Sequence, residues 1–245
     1  MIKAGLDFGN SKISCVVVDY KNNNNINLLS LKSIPTTNIK KNIILDYDNL
    51  LEQIQKLISD TEKESQTKLN SVNLNISLLN SNSYYYDSQI KIKNEKISEL
   101  HMHKIINQSE YFKTVPEKFE LYNNIISYLI DNNTYFSAPI GNYSDNVRID
   151  FYKITTQKKY IDNYTSMLNR LKLNIENYIP SPLSTSLAAL TLDEKELGTI
   201  CLDLGHSSTS VAIFENNKFL FGDTIGVGSN NVTLDIARGV STTIS

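Results

Sequence analysis

The sequence predicts an α/β protein built from two similar lobes, with a smaller α+β unit inserted in the first. Three observations lead there. A strand ending in Asp, followed by a small-residue loop and a second apolar strand, occurs near the start and again past residue 200. Amphipathic helical segments alternate with β-like runs on either side of the middle third, the pattern of helices covering sheets. The middle third itself, about residues 81–158, changes texture and reads as a separate unit.

Taken in order, Ile2 to Phe8, a loop at Gly9-Asn10-Ser11, Ile13 to Tyr20, an Asn-rich turn and Ile26 to Ile34 read as a β-meander that Pro35 closes. From Asp48 to about Glu64, Leu50, Leu51, Ile54, Leu57 and Ile58 recur at helical spacing, with Asp48 suited to cap the N-terminus. Val72-Asn73-Leu74-Asn75-Ile76 alternates at period two, as a strand does. In the insertion, Tyr84-Tyr85-Tyr86 reads as a strand with one packed face, and Ile97 to Glu110 as a helix. Glu120 to Ile130 and Val147 to Thr155 read as strands. Helical spacing resumes at Tyr160, Ile161, Tyr164, Met167, Leu168 and Leu171, and a short helix with Leu183, Leu187 and Leu190 follows Pro182. Thr199 to Leu204, Ser210 to Phe214 and Lys218 to Phe221 are expected strands, the last two joined by a hairpin turn at Asn216-Asn217. The expected division is 1–80 with 159–193, the insertion 81–158, and 194–245 as the start of a second domain.

Composition narrows the function classes. Lys and Arg total 24 against 26 Asp and Glu, a formal charge of −2, so no basic field draws nucleic acid. The N-terminus reaches Asp7 before any signal-like apolar stretch, and no segment approaches ~18 uninterrupted apolar residues, which points to a cytoplasmic protein. Cys15 and Cys201 lie in β-like runs and read as small buried hydrophobes. His101-Met102-His103 sits on an expected helix, where the two imidazoles diverge and no Cys completes a metal site. No P-loop and no Ser/His/Asp arrangement is present.

The repeat carries the functional argument. Placing Asp7 over Asp203 aligns Leu6-Asp7-Phe8-Gly9-Asn10-Ser11 with Leu202-Asp203-Leu204-Gly205-His206-Ser207, and Cys15 to Val18 with Val211 to Phe214. Such hairpins can turn backbone N–H groups and hydroxyls toward phosphate oxygens, because Gly admits close approach. An Asp at each strand end can hold a hydrated Mg²⁺ that bridges to phosphates. Two lobes each offering one hairpin would clasp a nucleoside triphosphate between them.

That pattern resembles the actin-like (ribonuclease H-like) ATPase superfamily. Within it, Gly226-Val227-Gly228-Ser229-Asn230-Asn231-Val232-Thr233-Leu234-Asp235-Ile236-Ala237-Arg238-Gly239-Val240-Ser241-Thr242 resembles the FtsA segment after the second phosphate hairpin, and Pro180 to Leu190 the helix before it. Pro139-Ile140-Gly141 falls where FtsA has a comparable loop in its inserted subdomain. The resemblance implies ATP and Mg²⁺ as ligands, self-association into filaments, and the tethering of FtsZ filaments to the cytoplasmic membrane. It implies at most a slow ATPase. By position it assigns phosphate contacts to Gly9, Asn10, Ser11 and Lys12, and to Gly205, His206, Ser207, Ser208 and Thr209, with Asp7 and Asp203 as metal-side carboxylates acting through water. The family's second loop usually runs Asp-x-Gly-Gly-Gly-Thr, so His206 and Ser207 depart from it. Here His206 is either a phosphate contact or a loop residue drifted from Gly, and Lys12 either a phosphate cation or a solvated Lys. The resemblance also implies that the adenine-side pocket, the FtsZ-docking surface and a membrane-targeting helix lie beyond Ser245. A PilM-like pilus-assembly adaptor, a sugar kinase of the same superfamily and a paralogue that no longer binds nucleotide are the alternatives.

Overall fold

The computed structural model describes residues 1–21, 25–40, 43–109 and 116–243. Strands β1 (Ile2–Phe8), β2 (Lys12–Lys21) and β3 (Asn25–Pro35) form the expected antiparallel meander; its Asn-rich turn, at 22–24, lies outside the described residues. Alternation fixes the register: Ala4, Leu6 and Phe8 lie opposite Val17, Cys15 and Ile13, and all six are buried on one face of the pair. Past Pro35 the chain makes a small ribbon, β4 (Ile39–Lys40) with β5 (Ile43–Ile44), that the sequence had not suggested.

Helix α1 (Tyr47–Ser65) turns Leu50, Ile54, Leu57 and Ile58 onto that core. Its N-cap is Asp46 and not Asp48: Asp46 Oδ1 accepts from Asn49 N at 3.1 Å, while Asp48 sits in the first turn, where its charge complements the helix dipole. Strand β6 (Ser71–Ile76) runs parallel to β1, and β11 (Asn174–Pro180) parallel to β6, giving the sheet order β11-β6-β1-β2-β3. β11 is an edge strand whose side chains stay largely in solvent, so it lacks the apolar alternation that marks a strand in sequence.

The insertion is an antiparallel sheet, β7-β10-β8-β9, of β7 (Asn82–Lys96), β8 (Lys118–Ile130), β9 (Asn133–Tyr135) and β10 (Tyr143–Gln157). Helix α2 (Glu99–Gln108) packs on it through Met102 and Ile105. The helix is shorter than expected at its start because Ser98 caps it, accepting from His101 N while His101 Nδ1 accepts from Ser98 N. The far end expected at Glu110 lies outside the described residues. The tyrosine run behaves as a half-packed strand: Tyr86 is buried and stacked on Phe151 at 4.8 Å, and Tyr85 is 57% exposed. β10 leads straight into α3 (Lys158–Arg170), which buries Ile161, Tyr164, Met167 and Leu168 in the first core.

After β11 come α4 (Ser181–Ala189), an unexpected short α5 (Leu192–Leu197), and the sheet β12-β13-β14 of β12 (Thr199–Leu204), β13 (Thr209–Glu215) and β14 (Lys218–Ile225). Asn216 and Asn217 both adopt left-handed backbone conformations at the β13–β14 hairpin turn. α6 (Ser229–Gly239) ends the described fold. Cys15 is buried, and burial pushes its thiol up to about 11; Cys201 is only half-buried, unlike the expectation. Ile200, Leu202 and Leu204 on β12, Val232 and Ile236 on α6 and Val240 at its C-cap are exposed.

The third sheet is joined to the insertion by an aromatic cluster. Tyr152, fully buried on β10, packs edge-on against Phe219 at 5.8 Å and lies 5.1 Å from the Tyr85 ring and 6.2 Å from that of Tyr122. Its hydroxyl accepts from Gly222 N at 2.9 Å and donates to Gly222 O at 3.1 Å, satisfying one residue of β14 completely. Gly222 has no room for a side chain, since a Cβ there would lie 2.4 Å from the Phe219 ring. Tyr152→Phe strands both backbone groups in a buried site. It should cost about 1–3 kcal/mol in urea unfolding, with the insertion core otherwise intact by near-UV circular dichroism.

Candidate functional site

The two Asp-ended hairpins are the same object in detail. Strand pairing ends at Phe8↔Ile13 in one and Leu204↔Thr209 in the other, so each loop has four residues, 9–12 and 205–208. Asp7 lies opposite Ser14, and Asp203 opposite Ser210. The match extends one strand further: Ser14 Oγ is 2.8 Å from Ser33 Oγ, and Ser210 Oγ 3.0 Å from Thr224 Oγ1.

Glycine opens both loops because the turn closes onto the place a Cβ would occupy. At Gly9 a Cβ would sit 2.7 Å from Lys12 O, and at Gly205 3.0 Å from Ser208 O. The second loop is held from outside as well. Ser229 N and Asn230 N, at the start of α6, donate to Gly205 O and His206 O at 2.9 Å, and Thr209 Oγ1 donates to Val227 O at 2.8 Å. Two N–H groups that a helix start leaves free for an anion are here spent on the loop. Gly228 makes the approach possible, for a Cβ on it would lie 2.6 Å from Gly205 O, His206 O and Ser208 N. Gly228→Ala should therefore destabilise by about 1–3 kcal/mol or more and loosen the loop, measured as faster amide hydrogen exchange at Gly205 to Ser208 than elsewhere in the sheet.

The carboxylates sit at the ends of β1 and β12. Asp7 Oδ1 accepts from Asn75 Nδ2 at 2.8 Å, Asn75 Oδ1 accepts from Ser184 Oγ at 2.7 Å, and Asp203 Oδ2 accepts from Thr185 Oγ1 at 3.1 Å. Burial raises the pKa of Asp7; the Asn75 hydrogen bond opposes that, the Asp203 charge adds to it and Lys12 opposes it. Sequence reading missed Asn75, Ser184 and Thr185. The signal for Asn75 was its place, with Asn73, on the polar face of an alternating strand ending beside β1. Because the folded chain holds the Asp7 proton more tightly than the unfolded chain, ionising Asp7 costs stability. That cost is absent below about pH 3.8 and complete once the pH has passed the raised folded value. Asp7→Asn keeps the acceptor for Asn75 and removes the charge. It should raise the unfolding temperature of the protein alone near neutral pH, with the gain fading as the pH is lowered in a thermal-unfolding series.

Between the loops lies a cleft of about 720 Å³, lined by Asn10 and Ser11, His206 and Ser207, Thr36 and Thr37 beyond β3, and Asn230, Asn231 and Leu234 of α6. The volume is that of a small-molecule site. Of the residues expected to bind, Asn10, Ser11, His206 and Ser207 face the cleft. Gly9 and Gly205 shape the turns, and Asp7 and Asp203 stand at the strand ends leading into them. Lys12 is near enough to Asp7 to act on its charge, the Ser208 backbone packs against Gly228, and the Thr209 hydroxyl is committed to Val227. Asn10 Oδ1 is buried with no hydrogen-bond partner. A ligand's donor would satisfy it, as would its own NH₂, with the amide turned over, on a phosphate oxygen. Among the described residues no group of three His, Cys, Asp or Glu side chains could hold a bare metal ion. Asp7 and Asp203, close enough for one charge to act on the other, suit instead a Mg²⁺ that keeps its waters.

Two sheets whose matching hairpins meet at one cleft define the actin-like ATPase fold. Solved structures agree: a PilM–PilN type IV pilus biogenesis complex superposes with a TM-score of 0.63 at 18% identity, over 98% of this chain and 66% of that one. The ethanolamine utilization protein EutJ of Carboxydothermus hydrogenoformans gives 0.56 at 12% identity, over 99% and 58%. In sequence, residues 200–245 match the family model "Cell division protein FtsA". The chain is 24% identical to the cell division protein FtsA of Agrobacterium fabrum, over 98% of this chain and 56% of that protein. It is 25% identical to that of Neisseria meningitidis and 22% to that of Escherichia coli, each over 97% of this chain and 57% of the relative. The chain thus spans little more than half the length of these relatives.

Proposed function

We propose that this chain forms the nucleotide-binding part of a bacterial cell-division protein, taking ATP with Mg²⁺ between the loops 9–12 and 205–208. The observation that carries the reading is the identical register of the two hairpins, with four loop residues facing one cleft. Asn10, Ser11, Ser207 and the loop backbones would meet the phosphates, and Asp7 and Asp203 would hold the waters of the cation. The cation would supply the charge that screens the phosphates from both carboxylates. His206 keeps its side chain exposed at the cleft, where it narrows the approach without closing it.

On this reading residues 1–80 with 159–193 form the first actin-like domain, 81–158 its insertion, and 194–245 the opening of the second. Similarity to cell division proteins FtsA along nearly the whole chain supports the division role; self-association and the tethering of FtsZ at the cytoplasmic face of the membrane are part of the proposal through the FtsA resemblance. No described helix is long and apolar enough to cross a membrane. Calorimetric titration of ATP should give a saturable isotherm, weakened at least tenfold when Mg²⁺ is chelated or when Asp203 is changed to Asn. A flat titration with Mg²⁺ present overturns the proposal.

A further inference from the structure

Asp7 and Asp203 belong to different sheets, yet consecutive residues of one helix reach both. Adjacent positions on a helix point about 100° apart, so Ser184 and Thr185 of α4 can address opposite neighbours. Ser184 Oγ donates to Asn75 Oδ1 at 2.7 Å, Asn75 Nδ2 donates to Asp7 Oδ1 at 2.8 Å, and Thr185 Oγ1 donates to Asp203 Oδ2 at 3.1 Å. The helix itself packs against β6 and β11 of the first sheet and against β12, β13 and β14 of the other.

Ser and Thr inside helices commonly return their hydroxyls to the preceding turn. The next residue does so: Ser186, fully buried, donates to Pro182 O at 2.7 Å. Ser184 Oγ also lies 3.0 Å from Ser181 O, so its proton is shared with the Asn75 contact, whereas the Thr185 contact is directed to Asp203. We propose that Ser184 and Thr185 are positioning residues, a pair of hydroxyls through which α4 sets the spacing and orientation of the Asp7 and Asp203 carboxylates across the two sheets. The inference rests on the reading of those carboxylates as the cation's outer ligands. Each carboxylate has one oxygen engaged, Asp7 Oδ1 by Asn75 and Asp203 Oδ2 by Thr185, and its other oxygen would be the one to meet a hydrated cation. Mg²⁺ demands near-ideal octahedral geometry, so a carboxylate free to rotate is a poorer partner than one held.

The test uses Ser184→Ala and Thr185→Val, with Thr185→Ser restoring the hydroxyl. Three quantities are read: the Mg²⁺ concentration that half-saturates ATP binding, the affinity for ATP in EDTA, and the unfolding temperature of the protein alone. Positioning predicts a Mg²⁺ midpoint raised about tenfold in Ser184→Ala and Thr185→Val. It also predicts affinity in EDTA and unfolding temperature close to wild type, and recovery in Thr185→Ser. Equal losses with and without Mg²⁺, or a lowered unfolding temperature as the main effect, would show a merely structural helix and overturn the inference. An unchanged Mg²⁺ midpoint overturns it while leaving the nucleotide site standing. If wild type itself shows no Mg²⁺ dependence, the nucleotide reading falls and this inference falls with it.

Discussion

The contact on which the rest of the structure depends is the one between the Tyr152 hydroxyl and the backbone of Gly222. A three-stranded sheet buries little surface by itself, and here β12 leaves Ile200, Leu202 and Leu204 in solvent. Beside the packing of α4, what ties β13 and β14 to the insertion is the aromatic joint: Phe219, with Phe214 against it, packs on Tyr122 and Tyr152. Tyr85 adds a hydrogen bond to Leu220 O at 2.8 Å. Three residues beyond Gly222, β14 ends, and Gly226 lines the cleft. The insertion thereby sets where the second hairpin stands, and a movement of either is transmitted through one short, hydrogen-bonded strand.

The two hairpins share a register and differ in surroundings. The first is enclosed by α1 and α3, so Leu6, Ile13, Cys15 and Val17 are all but inaccessible. The second borrows its order from α6, whose first N–H groups close on Gly205 O and His206 O. A duplicated device thus keeps its geometry while drawing stability from different sources. That is why the Asp7 alignment could be found in sequence although the flanking segments differ.

Legibility followed burial and turn chemistry. A strand with one dry face, such as 72–76, was visible from its alternation, and Asn216-Asn217 announced its hairpin because Asn tolerates a left-handed backbone. β11 was not visible, since its apolar residues, Ile175 and then Tyr178 to Pro180, do not alternate with polar ones along this edge strand. The cap of α1 was displaced by two positions because Asp46 and Asp48 both suit a helix start, and only backbone geometry chooses between them. At the site, the loop residues and both carboxylates came from the repeat, whereas Asn75, Ser184 and Thr185 required knowing which strand and which helix end beside them. Those are long-range facts that local pattern does not contain.

The unsatisfied groups of the cleft are unevenly distributed, and this bears on how a ligand would be held. Asn10 Oδ1 has no partner, and Asp7 carries a charge that burial and Asp203 disfavour; both belong to the first hairpin. The second loop has its carbonyls at Gly205 and His206 and its Thr209 hydroxyl already engaged. On the proposed function, a hydrated cation and the groups it carries would relieve the first hairpin, where solvation was lost on folding, and would meet at the second a surface that needs little rearrangement. Affinity would then come from discharging the first lobe, and orientation from the preformed second. A helix whose adjacent hydroxyls reach Asp203 directly and Asp7 through Asn75 is placed to keep those contributions in register.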